Sequence, residues 1–544
     1  MKIPDTLTLE DRARAPLNAI TGLADEDADV LPLFSPNRML HPASLHHGDW
    51  DYGSSHGRMV DALVLARHMS GIETGRGIEE KYRANLLSFF KDDGLSYRQK
   101  NSKAPWEPNA HMIDQRAVIL ALTSWYQQSG DPAVRAVADR HVAALKRIAI
   151  KEREVWYYPN SDHPYGGWPS ANAIQLRLAP DPAAFCGRLV MPLLKYHELT
   201  GNPDALDLCT FFSAMITERS GVFNPDGSFN DALAYRSGHF HTRLGTLDAL
   251  VRFAYFSHDA ALTAMVKKSY DWAIATWCTR FGWTPGDMKE QAFEHETCSL
   301  VDLIACGITL ARSGYPEYWG TVERFLRNHL TECQLLDLSW VHDHPDKSLD
   351  DPGLTSYHRV AERSRGAFAG YSAPNDFCCN VPWGRGHTHD LQTCCIGSGT
   401  RGLFMGWSNT VTEERGRVSV NFLLNRGSRF LDVLSHLPHE GKVELLIRQD
   451  LPALELRIPE WAGYAKVQIR RELGGKVGET TGAAPSSWAR KHFLQLGAAR
   501  AGEKITVSFP LSQRTTVERA VGQEFLATWR GDDVVHISPE GVNH

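Results

Sequence analysis

The chain has 544 residues, with 58 Lys or Arg against 64 Asp or Glu, so its formal charge is −6. This balance provides no basic surface for nucleic acid phosphates or anionic lipid, and it argues against polyanion binding as the main activity. Apolar residues make up 42% and charged residues 22% of the chain, which argues against a mostly disordered protein.

The first residues do not have the apolar core of a secretory signal, because charged side chains interrupt them between Asp5 and Arg14. The most apolar stretch, 303–311, is about half as long as a membrane span. We therefore expect a cytoplasmic protein that binds neither membrane nor nucleic acid. In that compartment the ten Cys residues stay reduced, so clustered Cys residues indicate metal ligands or nucleophiles.

From about residue 57 to 335, apolar residues recur at the spacing of amphipathic helices. The predicted helices include 58–69, 115–128, 188–199, 242–256 and 301–312. Each is followed by a Gly-type or polar ending and then by an N-cap or an early Pro, as in Gly201-Asn202-Pro203. These endings mark the tips of helical hairpins. The pattern predicts an α/α toroid rather than a tight solenoid.

After about residue 410 the apolar period changes to two, which predicts an antiparallel β domain. The predicted strands are 417–424, 442–449, 453–459, 465–473 and 503–511. The Gly-, Ala- and Thr-rich stretch from Gly474 to Ser487 is predicted to be an exposed loop. We expect two domains, a helical one over 1–410 with an N-terminal extension and a β-sandwich over 411–544.

The adjacent pair Cys394-Cys395 is the strongest local signal for chemistry. Upstream, Glu296 and Cys298 lie two residues apart and could reach one ion from a helix start. Three thiolates and one carboxylate suit zinc. The pair Cys378-Cys379 competes for the same role, and burial of all these thiols as small apolar groups is the alternative.

Four motifs occur in one order: HETC at 295–298, a YWGTVERFLRNHL helix at 318–330, CCIGSGTRG at 394–402, and LELRIPEWAG at 454–463. In this order they resemble glycoside hydrolase family 127, the β-L-arabinofuranosidase family and its relatives. The resemblance covers about residues 50–540 and is most specific between 290 and 405.

The resemblance implies a zinc-dependent retaining glycosidase with a Cys nucleophile, on an (α/α)6 barrel of the six-hairpin type followed by a β-sandwich. Glu296, Cys298, Cys394 and Cys395 would be the zinc ligands, with Cys394 as the nucleophile. Zinc would keep the thiol deprotonated, and its attack on the anomeric carbon would divide one displacement into two steps.

The general acid/base is where the sequence departs from the family, because the interval before HETC is compressed to GWTPGDMKEQAFE. Glu290 keeps the aromatic context of the family element, and Asp287 keeps its glycine. Glu294 is a weaker choice that could only orient Glu296. The shortened interval also implies a reshaped sugar pocket, so the sugar itself stays open.

Further matches concern sugar binding. GHFHTRLG resembles a family element that places His239 near the sugar, with His241 beside it; a second metal or core histidines are the alternatives. Glu323 matches a family glutamate that binds sugar hydroxyls, whereas a helix salt bridge with Arg327 is the structural alternative.

These observations favour a zinc-dependent exo-glycosidase acting on a short oligosaccharide or glycoside. The alternatives are a sugar-binding or isomerising protein with a structural zinc site, and a uronide hydratase or lyase using His239 or His241. The sequence leaves the oligomeric state open between a monomer and a homodimer.

Overall fold

The structure is a computed structural model. It describes residues 3–48, 50–98, 109–168, 181–232, 238–288, 295–377, 393–463, 466–482 and 492–541. None of the helices within these ranges combines the length and apolar character needed to cross a membrane.

The described residues contain fifteen α-helices, together with short 3-10 and π turns. In chain order they are α1 (Leu9–Arg12), α2 (Ala15–Gly22), α3 (His56–Ser70), α4 (Arg76–Ser88), α5 (Met112–Ser129), α6 (Pro132–Ile148), α7 (Pro182–Phe185), α8 (Val190–Thr200), α9 (Pro203–Ala214), α10 (Phe240–Ser257), α11 (Ala260–Trp277), α12 (Thr297–Arg312), α13 (Tyr318–Phe325), α14 (Val360–Ser364) and α15 (Thr393–Thr410).

Six of these helices close into an inner ring. Around the ring, α3 packs on α5, α5 on α8, α8 on α10, α10 on α12, α12 on α15, and α15 returns to α3. Five inner helices each pack against an outer helix that follows in the chain, namely α4, α6, α9, α11 and α13. The sixth, α15, packs instead against α1 and α2 from the N-terminus. The predicted toroid is therefore present, and its last hairpin is completed by the first residues of the chain.

The helix ends follow the predicted signals. Gly71, Gly130, Gly201 and His258 all take left-handed backbone angles immediately after α3, α5, α8 and α10. This conformation suits glycine because no Cβ obstructs it. Three of the next helices, α6, α9 and α11, begin with side-chain caps; Asn202, for example, accepts a hydrogen bond from the backbone N–H of Ala205. Local sequence thus determines where the hairpins turn.

Helix α15 was not predicted, because four glycines in TCCIGSGTRGLFMG obscure its apolar period. Packing explains them. A Cβ on Gly397 would lie 2.7 Å from Arg58 of α3, one on Gly402 would lie 2.8 Å from Leu330, and one on Gly399 would overlap the ring of Phe368. Close approach to its neighbours holds this segment in the ring despite its weak helix propensity.

The strands are β1 (Ala24–Asp25), β2 (Leu31–Pro32), β3 (Ser35–Asn37), β4 (Ser44–His46), β5 (Asn109–His111), β6 (Ile150–Glu152), β7 (Val155–Tyr157), β8 (Asp162–Pro164), β9 (Thr355–Ser356), β10 (Val411–Glu414), β11 (Arg417–Val420), β12 (Arg426–Gly427), β13 (Leu431–Ser435), β14 (Lys442–Ile447), β15 (Leu451–Arg457), β16 (Gln468–Leu473), β17 (Lys476–Thr481), β18 (Phe493–Ala499), β19 (Lys504–Ser508), β20 (Gln513–Ala520), β21 (Gln523–Arg530) and β22 (Asp533–Ser538).

Two sheets of the C-terminal region form a sandwich. One has the order β10-β11-β15-β18, the other β12-β13-β14-β19-β16-β17, and a single apolar core lies between them. Pairing is antiparallel except between β11 and β15, which run parallel. The predicted β-sandwich is therefore present with one parallel pair.

Strand β17 corrects part of the predicted loop over Gly474 to Ser487, whose residues 483–487 lie outside the described residues. It pairs with β16 at the edge of the larger sheet, and all six of its residues are exposed. A strand exposed on both faces shows no alternation of apolar and polar residues, so its sequence pattern cannot reveal it.

The last three strands, β20-β21-β22, form a separate sheet that packs on the toroid. Phe525 and Trp529 of β21 share an apolar cluster with Phe281 and Trp283, which follow α11. The C-terminal sheet therefore lies against the same side of the toroid as the segment that precedes HETC.

Candidate active site

A cavity of about 130 Å³ opens at one end of the inner ring. Its lining includes residues at or near the N-termini of inner helices: His239 caps α10, Glu296 caps α12, and Cys394 is the second residue of α15. Helix N-termini present unpaired N–H groups and a positive end of the helix dipole, which favour negatively charged groups. The ring therefore collects three helix starts around one cavity.

Three thiols meet at this cavity. The ligand atoms of Cys298, Cys394 and Cys395 all lie within 4.8 Å of one another, and the Sγ atoms of Cys298 and Cys395 are 3.9 Å apart. Cys394 is 9% exposed and lines the cavity, whereas the other two are fully buried. Of the three, Cys394 is thus the thiol that a bound molecule could reach.

The surroundings of Cys394 favour its thiolate. Hydrogen bonds from Cys298 and Cys395 hold the pKa of Cys394 well below its usual range, against the effect of burial, and the positive charge of Arg58 acts in the same direction. The same interactions, with burial, raise the pKa of Cys395. The group therefore concentrates one negative charge on its most accessible sulfur, as a nucleophile requires.

Glu296 and His239 are joined by a hydrogen bond. His239 Nε2 lies 3.1 Å from Glu296 Oε2, and His239 Nδ1 lies 2.7 Å from Thr242 Oγ1. A carboxylate only accepts, so Nε2 carries the proton and Nδ1 accepts from Thr242. His239 lines the cavity and also orients the carboxylate of Glu296, while its contact with a sugar stays a prediction.

His241 lies at the centre of a buried charged network. Its Nδ1 is 2.5 Å from Asp302 Oδ2, while Nη groups of Arg188 and Arg58 donate to its Nε2. Burial and the neighbouring arginines lower the pKa of His241 well below its usual value. The imidazole is thus neutral, with a proton on Nδ1 and the Nε2 lone pair occupied by the arginines.

The sequence analysis missed Arg58, Arg188 and Asp302. Arg58 Nη1 lies 3.4 Å from Cys298 Sγ and 3.4 Å from the carbonyl oxygen of Cys394. A signal was present for Asp302, which is the one charged residue of α12 before Arg312 at its end; Arg58 lies in α3, which also carries Asp61 and Arg67. Buried charges in such helices are costly unless they are paired, so they indicate a site.

The two aromatic side chains that line the cavity, Phe34 and Trp50, were also missed. Both lie before the first predicted helix, where the sequence has no periodic pattern.

Of the two candidate acids, the structure describes Asp287 but not Glu290. Asp287 is buried on a segment that pairs with His239 through backbone hydrogen bonds, Phe240 N–H to Gly286 O at 2.9 Å among them. This brings Asp287 next to the start of α10, although it is not among the residues that line the cavity. Glu290 and Glu294 lie outside the described residues, as does the competing pair Cys378-Cys379.

The structure corrects the sugar-binding role predicted for Glu323. Glu323 is fully buried on the outer helix α13, away from the cavity. It pairs with Arg327 at 2.8 Å and with Arg457 of β15, and it accepts from the backbone N–H of Leu423 at 3.1 Å. This is the predicted salt bridge with Arg327, extended to the β-sandwich, and it joins the two parts of the chain.

The donor set at the cavity fits a zinc-type ion. The three thiols form one group, and Glu296 forms a second group with His241 and Cys298, each within 4.8 Å. Thiolate sulfur and one carboxylate oxygen are ligands that zinc accepts in tetrahedral sites. Because the arginines occupy Nε2 of His241, Glu296 is the better fourth ligand.

The fold is that of six-hairpin glycosidases and sugar epimerases. A solved GH127 β-L-arabinofuranosidase from Geobacillus stearothermophilus T6 superposes with a TM-score of 0.60 at 14% identity, over 98% of this chain and 81% of that one. A GH127 β-arabinofuranosidase gives a TM-score of 0.60 at 14% identity, over 96% and 78%. A sugar epimerase from a ruminal bacterium gives 0.52 at 14% identity, over 75% of this chain and 100% of that one.

No protein-family model matches the chain, and no curated protein matches it by sequence. The structural neighbours confirm the predicted fold, a helical toroid of the six-hairpin type followed by β-sheets, and they include the family that the motifs resemble.

Proposed function

We propose that the protein is a zinc-dependent retaining glycosidase, a divergent relative of the GH127 enzymes, with Cys394 as its nucleophile. One observation carries the proposal: of three thiols gathered at the start of inner helices, Cys394 is the one that lines the cavity, and its pKa is lowered. An accessible thiol with a lowered pKa is suited to nucleophilic attack on a molecule bound in the cavity.

Cys298, Cys394, Cys395 and Glu296 would hold the zinc. When bound, zinc would keep the Cys394 thiol deprotonated at neutral pH. Arg58 supports the same state from the protein side, because its guanidinium lies beside Cys298 and the backbone of Cys394. His239 would fix the orientation of the Glu296 carboxylate.

In the first step the Cys394 sulfur attacks the anomeric carbon, a C–S bond forms, and the bond to the leaving-group oxygen breaks. A carboxylic acid gives its proton to that oxygen. In the second step the resulting carboxylate takes a proton from water, whose oxygen replaces sulfur at the anomeric carbon and restores the thiolate. Asp287 and Glu290 are our candidates for the acid.

The substrate we propose is a short oligosaccharide or glycoside cleaved from its end. Phe34 and Trp50 line the cavity, and an aromatic ring can pack on the C–H face of a sugar. A β-L-arabinofuranoside is the first choice, because that is the substrate named for a solved neighbour.

The test is a panel of aryl glycosides, including α- and β-linked arabinofuranosides, on the wild type, Cys394→Ser and Cys306→Ser. Cys306 is a matched control, since it is a buried thiol on α12 outside the thiol group. We expect turnover by the wild type and Cys306→Ser and none by Cys394→Ser, with zinc measured on the same samples. Equal loss of activity in both variants would contradict the nucleophile assignment.

The acid is tested separately. Asp287→Asn and Glu290→Gln are compared on substrates with good and poor leaving groups, because an activated aryl group needs little protonation. The variant that loses turnover only on the poor leaving groups identifies the acid. If neither variant affects poor leaving groups more than good ones, neither Asp287 nor Glu290 is the acid.

A second candidate is sugar isomerisation, favoured by two histidines at the cavity and by the fold shared with a sugar epimerase. His239 would then move the proton, because both ring nitrogens of His241 are held by Asp302 and the arginines. Deuterium uptake into unmodified oligosaccharides in heavy water, retained in Cys394→Ser, would support this function over hydrolysis.

A further inference from the structure

We propose a second divalent-metal site in this protein, formed by His295, His329 and Cys333 and distinct from the thiol group at the cavity. The three residues come from different places: His295 precedes the cap of α12, His329 lies in the π turn Leu326–Leu330, and Cys333 follows that turn. Their ligand atoms all lie within 4.8 Å of one another, and all three residues are buried.

The hydrogen bonds of His295 leave one ring nitrogen open to a metal. Its Nδ1 lies 2.7 Å from the carbonyl oxygen of Thr284 and 3.3 Å from the backbone nitrogen of Thr284; because the shorter contact is to the acceptor, Nδ1 donates to the carbonyl and the lone pair is on Nε2. Among the described residues, the hydrogen-bond contact of Nε2 is to the hydroxyl of Thr297, 3.4 Å away, which already donates to the carbonyl of Ala369 at 2.6 Å. A histidine held by a backbone carbonyl through its other nitrogen is the usual form of a metal ligand.

His329 provides an independent observation. Its Nε2 has no hydrogen-bond partner among the described residues, and water cannot easily replace one because the residue is only 3% exposed. The two imidazoles meet edge to face, with ring centroids 4.3 Å apart. A buried nitrogen without a partner is costly, and a metal ion would satisfy both it and the Nε2 lone pair of His295.

Cys333 completes a set of two imidazoles and one thiolate. These ligands suit zinc, which is commonly bound by three protein ligands with a fourth position left for water or another small ligand. Ser372 contacts the Cys333 thiol and would support its sulfur as an outer partner.

The fourth position would face a second cavity, of about 520 Å³, lined by His329 and Cys333. Residues of β22 and Asp376 also line it, and none of the described lining residues is shared with the cavity at the thiol group. His295 and Glu296 are consecutive, so the two metal sites would lie on either side of one backbone segment. We propose that this site takes a zinc-like ion with water or a small anion in the open position.

The test is zinc content of the full chain after dialysis and reloading with Zn²⁺ alone. We expect about two ions per chain in the wild type and about one in both Cys333→Ser and His329→Gln, while Cys306→Ser keeps about two. Cys298→Ser, at the thiol group, should also lose about one ion, so failure of either site is seen separately. Equal zinc content in the wild type, Cys333→Ser and His329→Gln would overturn the proposal.

Cobalt gives a second readout that does not require Cys333 to be replaced. The Co²⁺-loaded wild type and His329→Gln are compared by visible absorption, where thiolate and imidazole ligands give distinct bands. A difference spectrum of one tetrahedral thiolate–imidazole site is expected. Superimposable spectra from two equally folded proteins would contradict the second site.

Discussion

The ion pair that joins the toroid to the β-sandwich gives the sharpest stability prediction. Glu323→Gln removes a carboxylate that pairs with Arg327 and Arg457, both of whose side chains are almost completely buried. Removing one member of a buried pair costs about 3–5 kcal/mol, because the remaining charge is left uncompensated.

The structure places the effect at the lower end of that range. Arg327 keeps a second partner, Asp533, at 3.1 Å, and the new amide can still accept from the backbone N–H of Leu423. Among the described residues, Arg457 would retain the carbonyl acceptor of Asn421 and lose its carboxylate partner. We therefore expect a loss of about 3 kcal/mol in the free energy of unfolding. The control is Glu73→Gln, an exposed carboxylate paired with Arg76, where the loss should be much smaller because solvent screens the pair.

The measurement is urea unfolding followed by circular dichroism, with turnover on the same samples. Because Glu323 lies away from the cavity, KM should stay unchanged in Glu323→Gln under conditions where the variant is folded. Unchanged stability together with a raised KM would refute the reasoning and would restore the sugar-binding role first predicted from the motif.

The same carboxylate gives a pH dependence with a definite sign. Burial alone would raise the pKa of Glu323, but the charges of Arg457 and Arg327 outweigh it, so the pKa is lowered. A lowered pKa stabilises the fold above the unfolded value of about 4.3, and this contribution is lost as the pH falls through the folded value. Between neutral and acidic pH, the free energy of unfolding should therefore fall less in Glu323→Gln than in the wild type.

Two further predictions concern the inner helices and a buried histidine. Gly399→Ala should destabilise the protein by about 1–3 kcal/mol, because the new methyl group overlaps the ring of Phe368. The control Gly77→Ala in α4 should be neutral or stabilising, because its methyl group meets no neighbour. Equal effects of the two substitutions on thermal unfolding would refute the packing argument. Burial would lower the pKa of His47, but hydrogen bonds to Asp25 and Asp51 raise it to about 9. The contribution of His47 to the stability of the fold is therefore complete below about pH 6.5 and is lost as the pH rises through about 9. His47→Gln should abolish that slope in pH-dependent urea unfolding, and an unchanged slope would exclude His47 as its source.

Most of the inner ring could be predicted from the sequence because the signals are local. Helices such as α3, α5 and α10 show a helical period, and their ends are marked by residues that adopt left-handed angles, Gly71 and Gly130 among them. The strands of the sandwich that bury one face were found for the same reason, since alternation is visible within a few residues. The thiol motifs were also visible, because adjacent cysteines are a local pattern.

The remaining elements depend on contacts between distant residues. Helix α15 is held by close packing of its glycines against Arg58 and Phe368, which no local propensity reports. The strand β17 has no buried face. The sequence left two roles open for Glu323, a sugar contact and a salt bridge. The position of Arg457, which is distant in the chain, favours the ion pair.

The sequence by itself determined the helical hairpins, the β-sandwich and the residue types of the thiol group. Tertiary structure decided which charges converge on that group, that Cys394 is its accessible member, and that His295, His329 and Cys333 meet behind it. The physical reason is that periodicity and capping act over a few residues, whereas a site depends on the closure of the ring, which brings helix starts from distant parts of the chain together.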